Sequence, residues 1–473
     1  MKTHNLEAKR PGNLRTSKQD MSKKAKCALL GVAVAIVLLA VAVWFFFFKG
    51  ASYVCSLPAD MQAVARLDAQ ALQERSHLSL TEPQQQELKQ CGIDFAHPLY
   101  AFVDGHDSPG VLLPLRSARD FKAYLQGKDI EVQQQRGYHW AQAGQWLMVF
   151  SDDRCLVRGP LSEQEMGPMR GQMVSLMKQG GKSKGPLLQR VADSQVPASA
   201  AFSTALVQHL LTRFYPEIAA VLKEEPTGSV GVELGFADKK ITADITLYDT
   251  GLENKKSFLV PLSGADLPQG DNDALGTVSM GVNGEALLST LRSYPVIRTT
   301  LIALNFCVDL DMMIRSIQGG VTLTLPDADD VLPAATLAAR LRDTAFMQNS
   351  SEWNQGLSSA FAVSVESLGD SSFCLHVPDR DICFGVKDNY LVASGGEPSL
   401  RKTFSRLQSA SSSSAKDAQG CLLYAQLNIP NIQRQMAVLS LLMGDEEWLD
   451  DFLKQYDKLV LRVKAKDETA TKE

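Results

Sequence analysis

The feature that most constrains this chain is that it repeats itself. Four segments share one pattern: a short apolar strand, a polar turn or cap residue, then a run with helical period. They are AVARLDAQALQER from Ala63, AAFSTALVQHLL from Ala200, TVSMGVNGEALLSTL from Thr277 and LLYAQLNIPNIQRQM from Leu422. Asp68 and Asn283 take the cap position in the first and third, 215 residues apart, and Thr204 and Asn428 take it in the other two. Short side-chain acceptors there hold the first free N–H groups of the following helix. QCGIDFAHPLYAFV around Cys91 also resembles NFCVDLDMMIRSIQGGVTLTL around Cys307, at a nearly equal shift of 216. Further on, WLMVFSDDRCLVRGPLSEQEM from Trp146 matches ICFGVKDNYLVASGGEPSL from Ile382 as strand, acidic turn, strand, turn and helix. Residues 56–250 and 275–465 therefore read as two exported lobes, copies of one α+β unit, joined by a polar, turn-rich stretch.

Within a copy the strands alternate. In SVGVELGFADKKITADITLYD, Val230, Val232, Leu234 and Phe236 line one face and Asp238-Lys239-Lys240 turns the hairpin. Such alternation predicts an antiparallel sheet with one face under helices and the other wet. The expected fold class is thus α+β, two tandem repeats of an antiparallel sheet with helices packed on one face, preceded by a single transmembrane helix. The second copy ends in KLVLRVKAKDETATKE, one strand short, which predicts a sheet edge guarded by Lys464 and Lys466. The Ser-rich stretch at 409–420 reads as a mobile loop.

Residues 27–48 are 22 consecutive residues without a charge. A helix of that length spans about 33 Å, enough for a hydrocarbon core of about 30 Å. A cleaved signal has a shorter apolar region followed by small residues, whereas this run ends in Trp44 and four Phe. Charge divides at the same place: residues 1–26 carry a net +6 and residues 50–473 a net -12. With Lys23, Lys24 and Lys26 at the start of the run, the positive-inside rule predicts a cytoplasmic basic tail over 1–26. The expectation is a single-pass signal-anchor in the bacterial inner membrane, with the bulk of the chain in the periplasm. An acidic exported region repels phosphate, so no nucleic-acid partner is expected.

Seven cysteines follow the apolar run: Cys55, Cys91, Cys155, Cys307, Cys374, Cys383 and Cys421. The number is odd, and no C-x-x-C occurs, which argues against a thioredoxin-type site and a zinc ribbon. Cys374 and Cys383, in SFCLHVPDRDICFGV, are the local disulfide candidates if the turn between them sets them opposite each other. The alternative is a pair of small buried hydrophobes.

Six histidines lie in this part: His77, His97, His106, His139, His209 and His376, none at metal-site spacing. His106, in VDGHDSPG beside Asp104 and Asp107, has the neighbours of a base or ligand, but Gly105, Pro109 and Gly110 mark a hairpin tip. His209 reads as a partly buried structural residue of a helix. GGKSKG at 180–185 has Leu176 where a phosphate loop needs Gly, and GLSSA at 356–360 breaks the nucleophile-elbow pattern at its last position. The clusters Asp327, Asp329, Asp330 and Asp271, Asp273 lack the Gly and Glu of a calcium loop. No catalytic, cofactor-binding or metal residue is assigned, and no cofactor is expected.

The segments SLPADMQAVARLDAQAL (56–72), CGIDFAHPLYAFVDG (91–105), CLVRG (155–159) and YLVASGG (390–396) resemble a group of uncharacterised cell-envelope proteins of Bacteroidetes bacteria, a domain-of-unknown-function family. The resemblance implies an envelope location, usually through a lipid anchor, and no known activity. A transmembrane segment in place of a lipid-modified Cys is a departure from that pattern. The expected function is a membrane-anchored periplasmic binding or scaffold protein with an envelope protein, peptide or lipid as ligand. The competing expectation is an envelope hydrolase with its site at the junction of the lobes.

Overall fold

All four repeated segments fold as strand, cap and helix. The computed structural model describes residues 53–466 except 77–81, 106–107, 136, 179–184, 215–227, 250–256, 265–266, 269–273, 306–308, 326–334, 354–363, 378–379, 406, 408–411 and 434–451. Asp68, Asn283 and Asn428 each accept from the backbone N–H three residues on, at 2.9, 3.1 and 3.2 Å. In the second segment the acceptor is Ser203, which receives Leu206 N at 3.2 Å. The expected Thr204 instead donates its hydroxyl to Gly228 O at 3.0 Å.

The first copy supplies β1 (Ala63–Leu67), β2 (Leu99–Val103), β3 (Pro109–Pro114), β4 (Val132–Gln135), β5 (Tyr138–Ala143), β6 (Trp146–Phe150), β7 (Arg154–Arg158), β8 (Ala198–Ser203), β9 (Ser229–Ala237) and β10 (Lys240–Tyr248). The second supplies β11 (Gly276–Asn283), β12 (Ile317–Leu325), β13 (Thr336–Leu341), β14 (Ser364–Gly369), β15 (Ser372–Val377), β16 (Arg380–Lys387), β17 (Tyr390–Ser394), β18 (Leu423–Asn428) and β19 (Lys458–Lys466). From β10 outward the neighbours are β9, β8, β1, β2, β3, β7, β6, β5 and β4. From β19 outward they are β18, β11, β12, β13, β17, β16, β15 and β14. The order of pairing recurs, with β19 in the place of β9.

Three parts of the expected fold class are corrected. First, there are not two antiparallel sheets: the described strands form one 19-stranded mixed sheet within one structural unit. β19 is no edge, because it runs parallel to β10 from Lys240↔Lys458 to Tyr248↔Lys466. The first copy has one strand more than the second, which leaves β10 and β19 as facing edges, and pairing them satisfies both rows of backbone groups. Second, helices cover both faces, not one. On β6, Leu147 and Val149 pack with Met173 and Met177 of helix Glu163–Lys178, while the adjacent Phe150 meets Phe121 of helix Ala118–Gly127 edge-on at 5.1 Å. Continuous apolar runs such as WLMVF are what a strand buried on both faces requires. Third, no helix among the described residues is long and apolar enough to cross a membrane. The run at 27–48 lies outside the described residues, so the transmembrane helix and the membrane, single-pass and signal-anchor assignments drop out of the description of the fold.

Two-residue turns with both residues in the left-handed region connect β9 to β10 (Asp238, Lys239), β14 to β15 (Asp370, Ser371) and β16 to β17 (Asp388, Asn389). That geometry matches the twist of the flanking strands. The parallel junction is held from both sides. On one face Ile241, Ile429, Phe452 and Tyr456 form an aromatic cluster with Phe236 and Leu459, and the Tyr456 hydroxyl donates to Ser76 O at 3.0 Å. On the other, Asp244 and Arg462 are register partners joined by two hydrogen bonds. Arg462 also lies 3.7 Å from Asp417, which Lys240 approaches to 3.3 Å. Asp417 belongs to helix Ser412–Ala418, within the stretch that reads as a loop; its Ala418 is wholly buried against Cys421, Tyr424 and Val460. Tertiary burial thus orders a segment whose composition favours none.

Replacing Arg462 by Ala leaves Asp244 and Asp417 partly shielded without their guanidinium. The variant is expected to lose about 2 kcal/mol in urea unfolding, with Arg462→Lys intermediate because an ammonium cannot fork between both acceptors.

Candidate functional site

Strand β7 ends on an arginine that is buried. Leu156 and Arg158 point to the same face, and Arg158 is 2% exposed. Its partner is Asp104, 6% exposed, at the end of β2, and the two form a buried ion pair. Asp104 is fixed by the hairpin tip, since its Oδ1 accepts from Ser108 N at 3.1 Å. The guanidinium lies over the Phe102 ring, 5.2 Å from its centroid. Gly110 makes this crossing fit: a Cβ there would lie 2.4 Å from the Phe102 ring and 2.7 Å from Arg158 Cδ. Arg158 Nε is buried and has no hydrogen-bond partner among the described residues.

This ion pair borders a cavity of about 500 Å³. Pro58 and Asp60 form one side and helix Glu163–Lys178 the other, through Pro168, Met169, Gly171, Gln172, Ser175 and Leu176. At the start of that helix the Glu165 carboxylate folds back and accepts from both Ser162 N, at 2.8 Å, and the Ser162 hydroxyl, at 2.6 Å. Pro168 brings no N–H, and Gly171 has open space where a Cβ would stand. Asp60 is exposed and sits against the hairpin tip, one of its carboxylate oxygens 3.1 Å from a Cβ built on Gly105. Two carboxylates and one guanidinium leave the cavity one negative charge, and the rest of its lining mixes polar Gln172 and Ser175 with apolar Met169 and Leu176.

Among the described residues the histidines are not brought together. His77 and His106 lie outside the described residues, as do 180–184, 271, 273, 327–330 and 356–360. The tip that carries His106 does join β2 to β3. His97 faces Asp94 at 3.6 Å. His139 stacks on Phe150, with centroids 5.1 Å apart, and burial lowers its pKa. His209, expected to be partly buried, is exposed. His376 is held between Asp381 and Glu366, whose hydrogen bonds raise its pKa. Cys374 and Cys383 are register partners on β15 and β16 and form a disulfide. Cys55, Cys91, Cys155 and Cys421 are buried thiols, and burial pushes the pKa of the last three up, away from nucleophilic use.

In the sequence Asp104 stands out only as a neighbour of His106, and Arg158 only within CLVRG. Arg154 and Arg158 are both in phase with Leu156, and only the burial of Arg158 in the structure tells them apart.

No known family matches the chain, and neither does any curated protein. Among solved structures it is similar to crystal forms III, I and IV of TP0453, with TM-scores of 0.27, 0.26 and 0.25 and identities of 8%, 7% and 6%. Each likeness covers 72% of this chain and 91–92% of the other. At those scores it transfers neither fold nor function.

The ion pair sets a stability test. Asp104→Asn leaves a buried guanidinium uncompensated and is expected to cost about 3–5 kcal/mol, whereas the double variant Asp104→Leu with Arg158→Met is expected to cost less than that single change. Denaturant unfolding of the two proteins measures the difference.

Proposed function

We propose that the protein is a periplasmic binding protein of the cell envelope whose ligand fills the cavity beside Asp104 and Arg158 with its apolar part and leaves its amine on Asp60. The charge balance of the cavity carries this reading. Arg158 neutralises Asp104 at the floor, so Asp60 at the mouth remains as an acceptor for an ammonium group. Met169, Leu176, Pro58 and Pro168 offer apolar surface to the part of the ligand inward of the amine. A free peptide N-terminus has both parts. Burial of the apolar part is worth about 25 cal/mol per Å², and the carboxylate aligns the charge.

Binding is preferred to hydrolysis because of the groups that line the cavity. Ser175 donates its hydroxyl to Gly171 O at 3.0 Å, and no His or Cys lines the cavity among the described residues. A nucleophile needs a base within hydrogen-bond reach. The Cys374–Cys383 disulfide supports an oxidising compartment.

The test uses short peptides with free or acetylated N-termini and reads the melting temperature. Free-amine peptides are expected to raise it, acetylated ones not, and Asp60→Asn to weaken the effect. Gly171→Leu fills the cavity from an open helical position, so it is expected to abolish the shift without lowering the ligand-free melting temperature. Equal shifts with both peptide forms, or none with either, would contradict the proposal.

A further inference from the structure

The far end of the second copy gathers metal-ligating side chains on one face of the sheet. Cys374 pairs in register with Cys383, His376 with Asp381, and Glu366 with Cys374. Positions two apart on a strand share a face, so all five point the same way across β14, β15 and β16. His376 Nδ1 lies 2.9 Å from Asp381 and its Nε2 3.1 Å from Glu366. The ligand atoms of Cys374, His376 and Asp381 lie within 4.8 Å of one another. Cys383 Sγ is bonded directly to Cys374 Sγ.

We propose that reduction of the Cys374–Cys383 disulfide turns this cluster into a zinc site. The two thiolates, His376 Nδ1 and an Asp381 oxygen are its four ligands. Metal–ligand bonds of about 2.0–2.3 Å set tetrahedral neighbours about 3.3–3.8 Å apart, so side-chain rotation suffices once the S–S bond opens. Two thiolates with an imidazole and a carboxylate suit zinc in softness and in number. Glu366 keeps the hydrogen bond from Nε2–H, which fixes the tautomer that leaves Nδ1 to the metal. While the disulfide stands, both sulfurs are engaged and the site lacks half its donors.

The reductant is a dithiol. Two exchange steps break the S–S bond, each cysteine sulfur receives a proton, and the dithiol is oxidised to its own disulfide. Zinc then displaces both thiol protons to water.

The full chain is titrated with zinc against a chromogenic chelator, first oxidised, then after a phosphine reductant that leaves as its oxide. Reduction is expected to add one tightly held zinc per chain, and cobalt in its place to show a thiolate charge-transfer band. The double variant Cys374→Ser with Cys383→Ser is expected to lose that zinc. His376→Ala, which keeps the disulfide and hence the oxidised fold, is expected to weaken it about 100-fold after reduction, and Glu366→Gln about 10-fold. Equal zinc uptake before and after reduction, no uptake after it, or uptake retained in the double serine variant would overturn the proposal.

Discussion

The parallel contact between β10 and β19 is the constraint on which the rest of the sheet depends. Among the described residues every other strand pairing is antiparallel and lies within one copy of the repeated order, so this ladder joins the two sets of strands. Its position follows from a mismatch in strand number: ten strands before it and nine after. The backbone groups of both edges are satisfied there, and side chains add direction. Asp244 and Arg462 are paired in register, Asp417 draws helix Ser412–Ala418 onto the same face, and the Tyr456 hydroxyl reaches the helix Ala69–Ser76 from the other. A shift of one residue along β10 would send Asp244 into the aromatic cluster around Phe236 and Tyr456. Register and charge therefore select the same alignment.

The cavity beside Asp104 depends on a different balance of charge. An arginine with 2% exposure is tolerated on β7 because Asp104 meets it and Gly110 leaves it a path. Replacing such a buried pair by hydrophobic residues is often close to neutral, whereas breaking it by removing one partner is costly, so the two charges depend on each other more than the fold depends on them. The disulfide cluster lies on β14–β16 at one end of the strand order, whereas the cavity borders β2, β3 and β7 of the first copy, so the two sites are separate pieces of chemistry on one sheet.

Local features were legible in the sequence, and long-range ones were not. Acceptors at Asp68, Asn283 and Asn428, the turn at Asp238-Lys239, and the opposition of Cys374 and Cys383 all depend on a few neighbouring residues. The pairing of β19 with β10 depends on residues about 218 apart, and nothing in the alternation of KLVLRVKAK tells an edge strand from an interior one. Lys464 and Lys466 are compatible with both. Helix Ser412–Ala418 shows the same limit, because its Ser-rich composition is overridden by the burial of Ala418. At the candidate site, Asp104 and Arg158 are 54 residues apart, and only the register of β2, β3 and β7 brings them together.

Amide hydrogen exchange along β19 tests the continuity of the sheet most directly. With β18 on one side and β10 on the other from Lys458 to Val463, amides facing both neighbours are hydrogen-bonded there, and slow exchange is predicted at successive residues from Lys458 to Val463 and at the facing amides of β10. Two separate sheets would leave β19 an edge strand. Fast exchange at every second amide of β19, with those facing β18 still protected, would contradict the single sheet.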